Sequence, residues 1–264
     1  MKTTIATTTL FLALLSSPIF ASTLVEIKSG NTISRIYSDG KLARMEVDDA
    51  NGYTIIDPKA GAAYSVMDSE RQVIKMSLTN PALDANSPIK VKVTKSGVGP
   101  KILGYKTTKY DFHVNDQFCG SIFSSKEAMK DAKIEPIYTF LQSLTAKAQA
   151  LANQFNPNID PCSQGGASLN EKVMQLGLSL KSVERDGSVS SQIIKIDQRA
   201  KLPKNVFTVP QGYQVQDMDQ MHKSMQQELD KQGIDMKKMM RELQESGNLS
   251  PEMMEQMQQM HQQP

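Results

Sequence analysis

Three groups of side chains in this sequence have the types and spacing to do chemistry: a pair of cysteines, one histidine among carboxylates, and a methionine-rich run near the end. Cys119 and Cys162 are the only cysteines. In a chain with an export leader, two thiols pair most simply as a disulfide. The alternative, a reactive or metal-binding pair, lacks a C-x-x-C spacing and a supporting histidine cluster. His113 lies beside Asp111 and close to Asp116, but no serine or cysteine nucleophile is placed to join it, and metal hydrolysis needs three protein ligands. Gly97-Val98-Gly99-Pro100 has neither the spacing nor the lysine of a phosphate loop. The chain is therefore expected not to be an enzyme and to use no cofactor. Met218-x-x-Met221-His222-x-x-Met225 sets three thioethers and an imidazole on neighbouring turns of one helix, a soft donor set that suits Cu(I). Met257, Met260 and His261 repeat it more weakly. Methionine is also unbranched and adaptable, so the same residues make a flexible apolar face with no metal at all.

The elements that must position these groups begin after a leader. Met1 to Ala21 carries Lys2, an apolar run from Leu10 to Leu15, then Ser16-Ser17-Pro18, the pattern of a secretory signal peptide cleaved after Ala21. The run is short for a membrane helix, and no cysteine follows the cleavage site to carry a lipid. A retained N-terminal anchor is the alternative. The mature chain is expected to be periplasmic or secreted, with no integral membrane segment. Composition then divides it near Asp217. All tyrosines and phenylalanines precede Val215, whereas ten of the 16 methionines lie from Met218 onward. Of 30 basic and 28 acidic side chains, 25 and 19 lie before Asp217, leaving 5 and 9 in residues 217–264. The tail carries Met236, Met239, Met240 and Leu243 on a second stripe after Gly233, and Met253, Met254, Met257 and Met260 after Ser250-Pro251. Three short amphipathic helices with glutamine-rich polar faces are expected there.

From Thr23 the chain reads as short strands: Leu24–Lys28, Thr32–Tyr37, Leu42–Asp48, Tyr53–Ile56, Ala63–Met67 and Gln72–Leu78, with Asp39-Gly40 as a hairpin turn. Ile89 to Lys95 alternates lysine with apolar residues, a strand with one wet face and one dry. The lysine row has no interleaved aromatic platform, so nucleic acid is not an expected partner. Tyr110, Phe112 and Val114 alternate with Lys109, Asp111 and His113, Asn115-Asp116 turns the chain, and Gln117 to Phe123 returns. Ser124-x-x-Glu127 matches a capping box, and Pro136 opens a second helix. Ile137, Phe140, Leu141, Leu144, Ala148 and Leu151 recur at helical spacing and form one apolar stripe, the candidate face of a lid. A loop holding Cys162 follows, then strands with alternating Leu176, Leu178 and Leu180, from Val189 to Ile196, and from Asn205 to Val209.

The runs DGKLARMEV, YTIIDPKAGAAYSVMDSERQVIKM, ILGYKTTKY and VFTVPQGY resemble a family of uncharacterised exported proteins related to the LolA/LolB-like periplasmic lipoprotein carriers. The likeness spans Leu24 to Tyr213 and none of the tail. It implies an incomplete antiparallel barrel capped by helices over an apolar cavity. Those carriers place a basic residue directly before a proline in an early strand, and Tyr37 to Lys41 is a turn without that pair; lipoprotein transfer is not implied, and no functional residue carries over. The expected fold is α+β: a curved antiparallel sheet or incomplete β-barrel of about ten strands with a helical lid insertion over about 124–155, followed by a short helical tail. The expected organisation is a signal peptide over 1–21, a LolA-like half-barrel domain over 22–216 and a Met/Gln-rich tail over 217–264. Three functions follow: a binding module for an apolar ligand, lipid, acyl chain or lipidated protein; Cu(I) binding through the tail; or assembly, with the tail docking a protein partner.

Overall fold

The computed structural model describes residues 22–77, 90–141, 143, 160–164, 175–202 and 205–231. Its strands are β1 Thr23–Ser29, β2 Thr32–Ser38, β3 Ala43–Val47, β4 Tyr53–Asp57, β5 Ala62–Met67, β6 Gln72–Ser77, β7 Val91–Val98, β8 Thr108–Val114, β9 Gln117–Ser125, β10 Leu178–Glu184, β11 Val189–Asp197 and β12 Gln214–Asp217. They form one 12-stranded sheet in the order β12-β6-β5-β4-β3-β2-β1-β11-β10-β9-β8-β7. Every pairing is antiparallel except β12 on β6. Among the described residues, four helical segments accompany it: α1 Lys126–Ala132, α2 over 135–141, α3 Pro161–Gln164 and α4 Met218–Lys231. The expected α+β class, with helices inserted into a mostly antiparallel sheet and a helix after it, is the class observed.

Two local devices set the register. Gly30-Asn31 joins β1 to β2, and Asn115-Asp116 joins β8 to β9 with both φ values positive, at 48° and 65°. The latter is the primed geometry whose twist matches that of the flanking strands, and Asn and Asp tolerate it better than most residues. Alternation then fixes which side chains point together, since a slip of one residue would turn every apolar group outward.

One face of the sheet is covered by α1 and α2. Val25, Ile36, Ala43, Ile56, Ala63, Leu178, Leu180 and Ile193 from eight strand positions pack with Ala128, Met129 and Ala132 of α1, Ile134, and Ile137 and Phe140 of α2. Ile137 is fully buried. This is the concave, dry face. The opposite face over β11, β1, β2 and β3 carries a charged row, in which Lys195, Glu26, Arg35 and Glu46 stand directly opposite one another in register. Glu26 contacts both Arg35 and Lys195 at 3.8 Å, Arg35 also pairs with Asp48, and Arg44 bonds Glu46 at 2.7 Å while lying over the Tyr53 ring. Further along the same face, Ile55, Val66 and Val73 are covered by Val209 and Tyr213.

Four expectations are corrected. The sheet is not a β-barrel: it ends on β12 and β7, which do not pair with each other. Asn205 to Val209 is not a strand but a turn closed by Thr208 N–H on the Asn205 carbonyl at 3.0 Å, because Asn205 takes a φ of 61° that breaks an extended run. The final strand is instead β12, whose Gln-Val-Gln-Asp sequence carries no apolar alternation. The helix cap is Ser125 rather than Ser124; its hydroxyl accepts from Ala128 N–H at 3.3 Å, which leaves Glu127 one position too early to complete a capping box. Leu144 and Leu151 of the expected lid stripe, the leader, and the tail beyond Lys231 lie outside the described residues.

Gly177 fixes how closely α1 can approach β10. Its φ is +100°, and a Cβ there would stand 2.6 Å from Ser125 C and O and from Lys126 N. Backbone on both sides cannot give way. Gly177→Ala is expected to lower stability by about 3 kcal/mol, from positive-φ strain together with overpacking. Urea unfolding measures it, and a loss below about 0.5 kcal/mol, the usual range of a harmless surface change, contradicts this account of the junction.

Candidate functional site

The candidate site is the concave face and the helices laid on it. Of the expected lid residues, Ile137 and Phe140 are buried against the sheet and Leu141 is half-buried beside them. The interior beneath α1 and α2 is occupied by their own side chains. The helices are also held by polar contacts at one margin. Tyr105, on the tight turn bridged between Ile102 and Tyr105, donates its hydroxyl to Asp131 of α1 at 3.2 Å and accepts from Gln198 Nε2 at 3.5 Å. Partial burial, and then the Asp131 carboxylate, raise the Tyr105 phenol above its ordinary pKa, so it stays a neutral donor. This latch is absent from the sequence reading, since a tyrosine in ILGYKTTKY has no local signal for a partner 26 residues away.

Beyond Phe123, the concave face turns polar. On β8, Lys109, Asp111 and His113 point to the same side as Phe123, because Lys109 stands opposite Phe123 and Asp111 opposite Ser121. Ser121 donates to Asp111 at 2.6 Å and Lys109 lies 3.2 Å from the same oxygen. Desolvation pushes the Asp111 carboxyl upward, but hydrogen bonds from Ser121, Lys109 and Ser96 outweigh it and leave it below the ordinary value. His113 stacks edge-on to Phe118, with centroids 5.5 Å apart, and its buried Nδ1 has no hydrogen-bond partner among the described residues.

Cys119 and Cys162 are joined in a disulfide with Cα atoms 5.4 Å apart. It ties β9 to α3. Cys119 is buried with Val91 and Val114, and Val93, Phe112 and Cys162 pack around them. Phe112 and Val114 alternate with Asp111 and His113 along β8, which puts this cluster on the face opposite α1 and α2. The chain leaves β9 on the concave side at Ser125 and is tied back to β9 on the other side at Cys162.

Met218 and Met221 lie on α4 and are about half exposed, at 45% and 50%. His222 and Met225 belong to the same helix, but their side chains lie outside the described residues. Among the described residues, no group of three or more His, Cys, Asp or Glu is placed to hold a metal ion, and no helix is long and apolar enough to cross a membrane. The start of α4 is fastened to the sheet: Asp217 accepts from Asp219 N–H at 3.0 Å and Gln220 N–H at 3.3 Å, and pairs with Lys75 of β6 at 3.1 Å.

No family model and no curated protein matches the sequence. Several solved chains are similar, two of them as follows. One is an uncharacterized conserved protein from Thermus thermophilus, at 11% identity and a TM-score of 0.39, over 75% of this chain and 91% of that one. The other is PNGF-II, at 14% identity and a TM-score of 0.38, over 77% of this chain and 32% of that one. Neither is described as a lipoprotein carrier, so the label LolA-like is dropped along with the barrel. Likenesses this weak carry no argument about function.

Two outcomes follow from the site. Reducing the disulfide, or replacing it with Cys119→Ser and Cys162→Ser, is expected to lower stability by about 4 kcal/mol in the chain-entropy model, and to raise amide exchange at 160–164 before it rises in α1; simultaneous opening contradicts the two-face placement. The Lys75 hydrogen bond holds the Asp217 carboxyl below its usual pKa. A depressed carboxyl stabilises the fold above its unfolded value, about 3.9, and the contribution is lost as pH falls through the lower folded value. Acidification should therefore speed exchange of the Asp219 and Gln220 amides first, and Lys75→Gln should move that acid sensitivity to higher pH; an unchanged profile counts against the pair.

Proposed function

We propose that this chain is an exported, non-enzymatic binding protein that holds an apolar chain between the concave sheet face and α1 and α2. The observation that carries the reading is the contrast between the two faces. One is a continuous apolar surface covered by two short helices that rest on it through Ala, Met, Ile and Phe side chains, and the opposite face is ion-paired and needs no cover over β11 to β3. Short helices are marginal by themselves and hold their place through packing, so an apolar ligand that offers equal packing can take that place. The leader over 1–21 and the disulfide support export.

Gentle purification of the mature protein followed by native mass spectrometry should find a bound lipid or acyl chain, and the emptied protein should take up a fluorescent fatty acid. A protein that is empty as purified and also fails to bind the probe rejects the reading.

The exposure of Met218 and Met221 favours a second reading, in which α4 and the sequence after it buffer Cu(I). Competition with a Cu(I) chelator should show tighter binding for the full chain than for one lacking 217–264; equal affinity rules it out. The same exposed sulfurs suit an apolar protein partner, and recovery of a specific envelope protein on the isolated tail under mild crosslinking separates that role from metal binding.

A further inference from the structure

The connection from β7 to β8 ends in a turn whose backbone and side chain are at odds. Ile102 N–H donates to the Tyr105 carbonyl at 3.1 Å and Tyr105 N–H to the Ile102 carbonyl at 2.9 Å, so Leu103-Gly104 is a two-residue turn. Its φ values are 51° and 84°, the primed geometry that asparagine, aspartate and glycine adopt readily. Leucine does not, because its Cβ crowds the carbonyl in the left-handed region, and a bulky residue there is an outlier. Burial does not compensate it. Leu103 is 44% exposed, and Val98, five residues earlier at the end of β7, is 91% exposed.

The rest of the connection is pinned. Ile102 is buried in the main core, and Tyr105 packs on the same core and donates to Asp131. Gly99 N–H bonds the Thr107 carbonyl at 2.9 Å, and the Thr107 hydroxyl bonds the Pro100 carbonyl at 2.7 Å. Leu103 is thus presented on a fixed base. A strained conformation kept without packing to repay it inside the molecule points to a use outside it.

The charge around this tip is mostly of one sign. From Lys90 to Tyr110 the sequence holds six lysines and no acid. Lys101 and Lys106 are exposed on either side of the turn. The Tyr105 hydroxyl brings the end of α1 beside it through Asp131, with Lys130 and Lys133 exposed, and brings Arg199 through Gln198. Glu127 and Glu135 are the exposed acids on α1 and α2. The turns at the opposite end of the strands carry Asp48, Asp49, Asp68, Glu70, Asp116 and Asp186 against Arg71, Lys90 and Arg185. The sheet is therefore electrically polar along its strands, and Leu103 stands at the basic end.

We infer that the Leu103 turn is a membrane-surface contact: Leu103 enters the headgroup region of an anionic bilayer, with Val98 at its margin, while Lys101, Lys106 and the cations at the end of α1 meet the lipid phosphates. A protein partner needs a broad complementary area, whereas two apolar side chains raised among lysines suit a surface that is negative on top and apolar beneath. The acidic end of the strands then faces away from the bilayer. The contact is peripheral and does not depend on what the concave face holds.

The test is co-sedimentation of the full mature chain, at physiological salt, with vesicles of phosphatidylcholine alone or with about one-quarter phosphatidylglycerol. The anionic vesicles should be bound at least roughly tenfold more tightly, at about fivefold for each lysine near the surface. Lys101→Gln with Lys106→Gln should remove most of that preference. Leu103→Asn, which suits the turn better than leucine, should weaken binding to the anionic vesicles about fivefold, and the thermal midpoint should stay the same or rise. Equal binding to both kinds of vesicle, or a preference that survives in both variants, as it would if the methionine-rich tail carried it, overturns the site. If the lysine changes weaken binding and Leu103→Asn does not, the surface is a polyanion or acidic-protein contact and the membrane assignment fails. A lower midpoint for Leu103→Asn shows that the leucine is kept for stability, and overturns it as well.

Discussion

Burial of the concave face of an open sheet is the constraint on which the rest of the molecule depends. A closed barrel hides its interior by geometry, but this sheet ends on β12 and β7, so the apolar positions of β1 to β5, β10 and β11 need a separate cover. That cover is α1 and α2. Their contact residues are small where the backbone must come close, Ala128 and Ala132, and larger where space remains, Ile137 and Phe140. The junction at Ser125 sets the angle of approach, with Gly177 beneath it because no side chain fits there. A change at any of these points acts on the whole layer.

The disulfide answers a different problem. The excursion that starts at Ser125 packs on the sheet through α1 and α2, whereas α3, after it, is too short to hold itself in place. Joining Cys162 to Cys119 across 43 residues makes the return point part of β9. That point lies on the face opposite the helices, so the two described ends of the excursion meet β9 on opposite sides of the sheet.

Much of this was legible in the residues. Period-two alternation located eleven of the twelve strands, and Asn115-Asp116 and Asp39-Gly40 named their own turns. Ile137, Phe140 and Leu141 announced a helix with one apolar face. The exceptions share a physical cause, which is that their structure depends on partners distant in the chain. Gln214–Asp217 is a strand only because β6 offers it an edge, and a parallel one at that. Asn205 to Val209 has strand composition, but Val209 and Tyr213 are drawn onto Ile55, Val66 and Val73 instead. Tyr105 is bound to Asp131 across 26 residues, and Lys92 stands opposite His113 through strand register, neither of which a local window contains. Ser125 displaced Ser124 as cap because the β9–β10 pairing runs one residue further than the capping motif suggested.

The packed state of the concave face also constrains the proposed ligand. Lifting α1 and α2 exposes side chains that are now dry, and a buried Ile or Phe is worth roughly 1.5–3 kcal/mol each. Ile134, Ile137, Phe140 and Met129 together therefore set a cost on the order of 10 kcal/mol if all four were released to water. A ligand recovers about 0.8 kcal/mol per buried methylene. A chain of a few carbons cannot match that cost, whereas one of about a dozen carbons comes close to it, and any contact that displaced helices keep with the chain reduces what must be matched. The competition is thus between like quantities, apolar area of the protein against apolar area of the ligand. The length at which the balance turns falls in the range of common acyl chains, so tight packing of the empty face is compatible with the binding proposed for it.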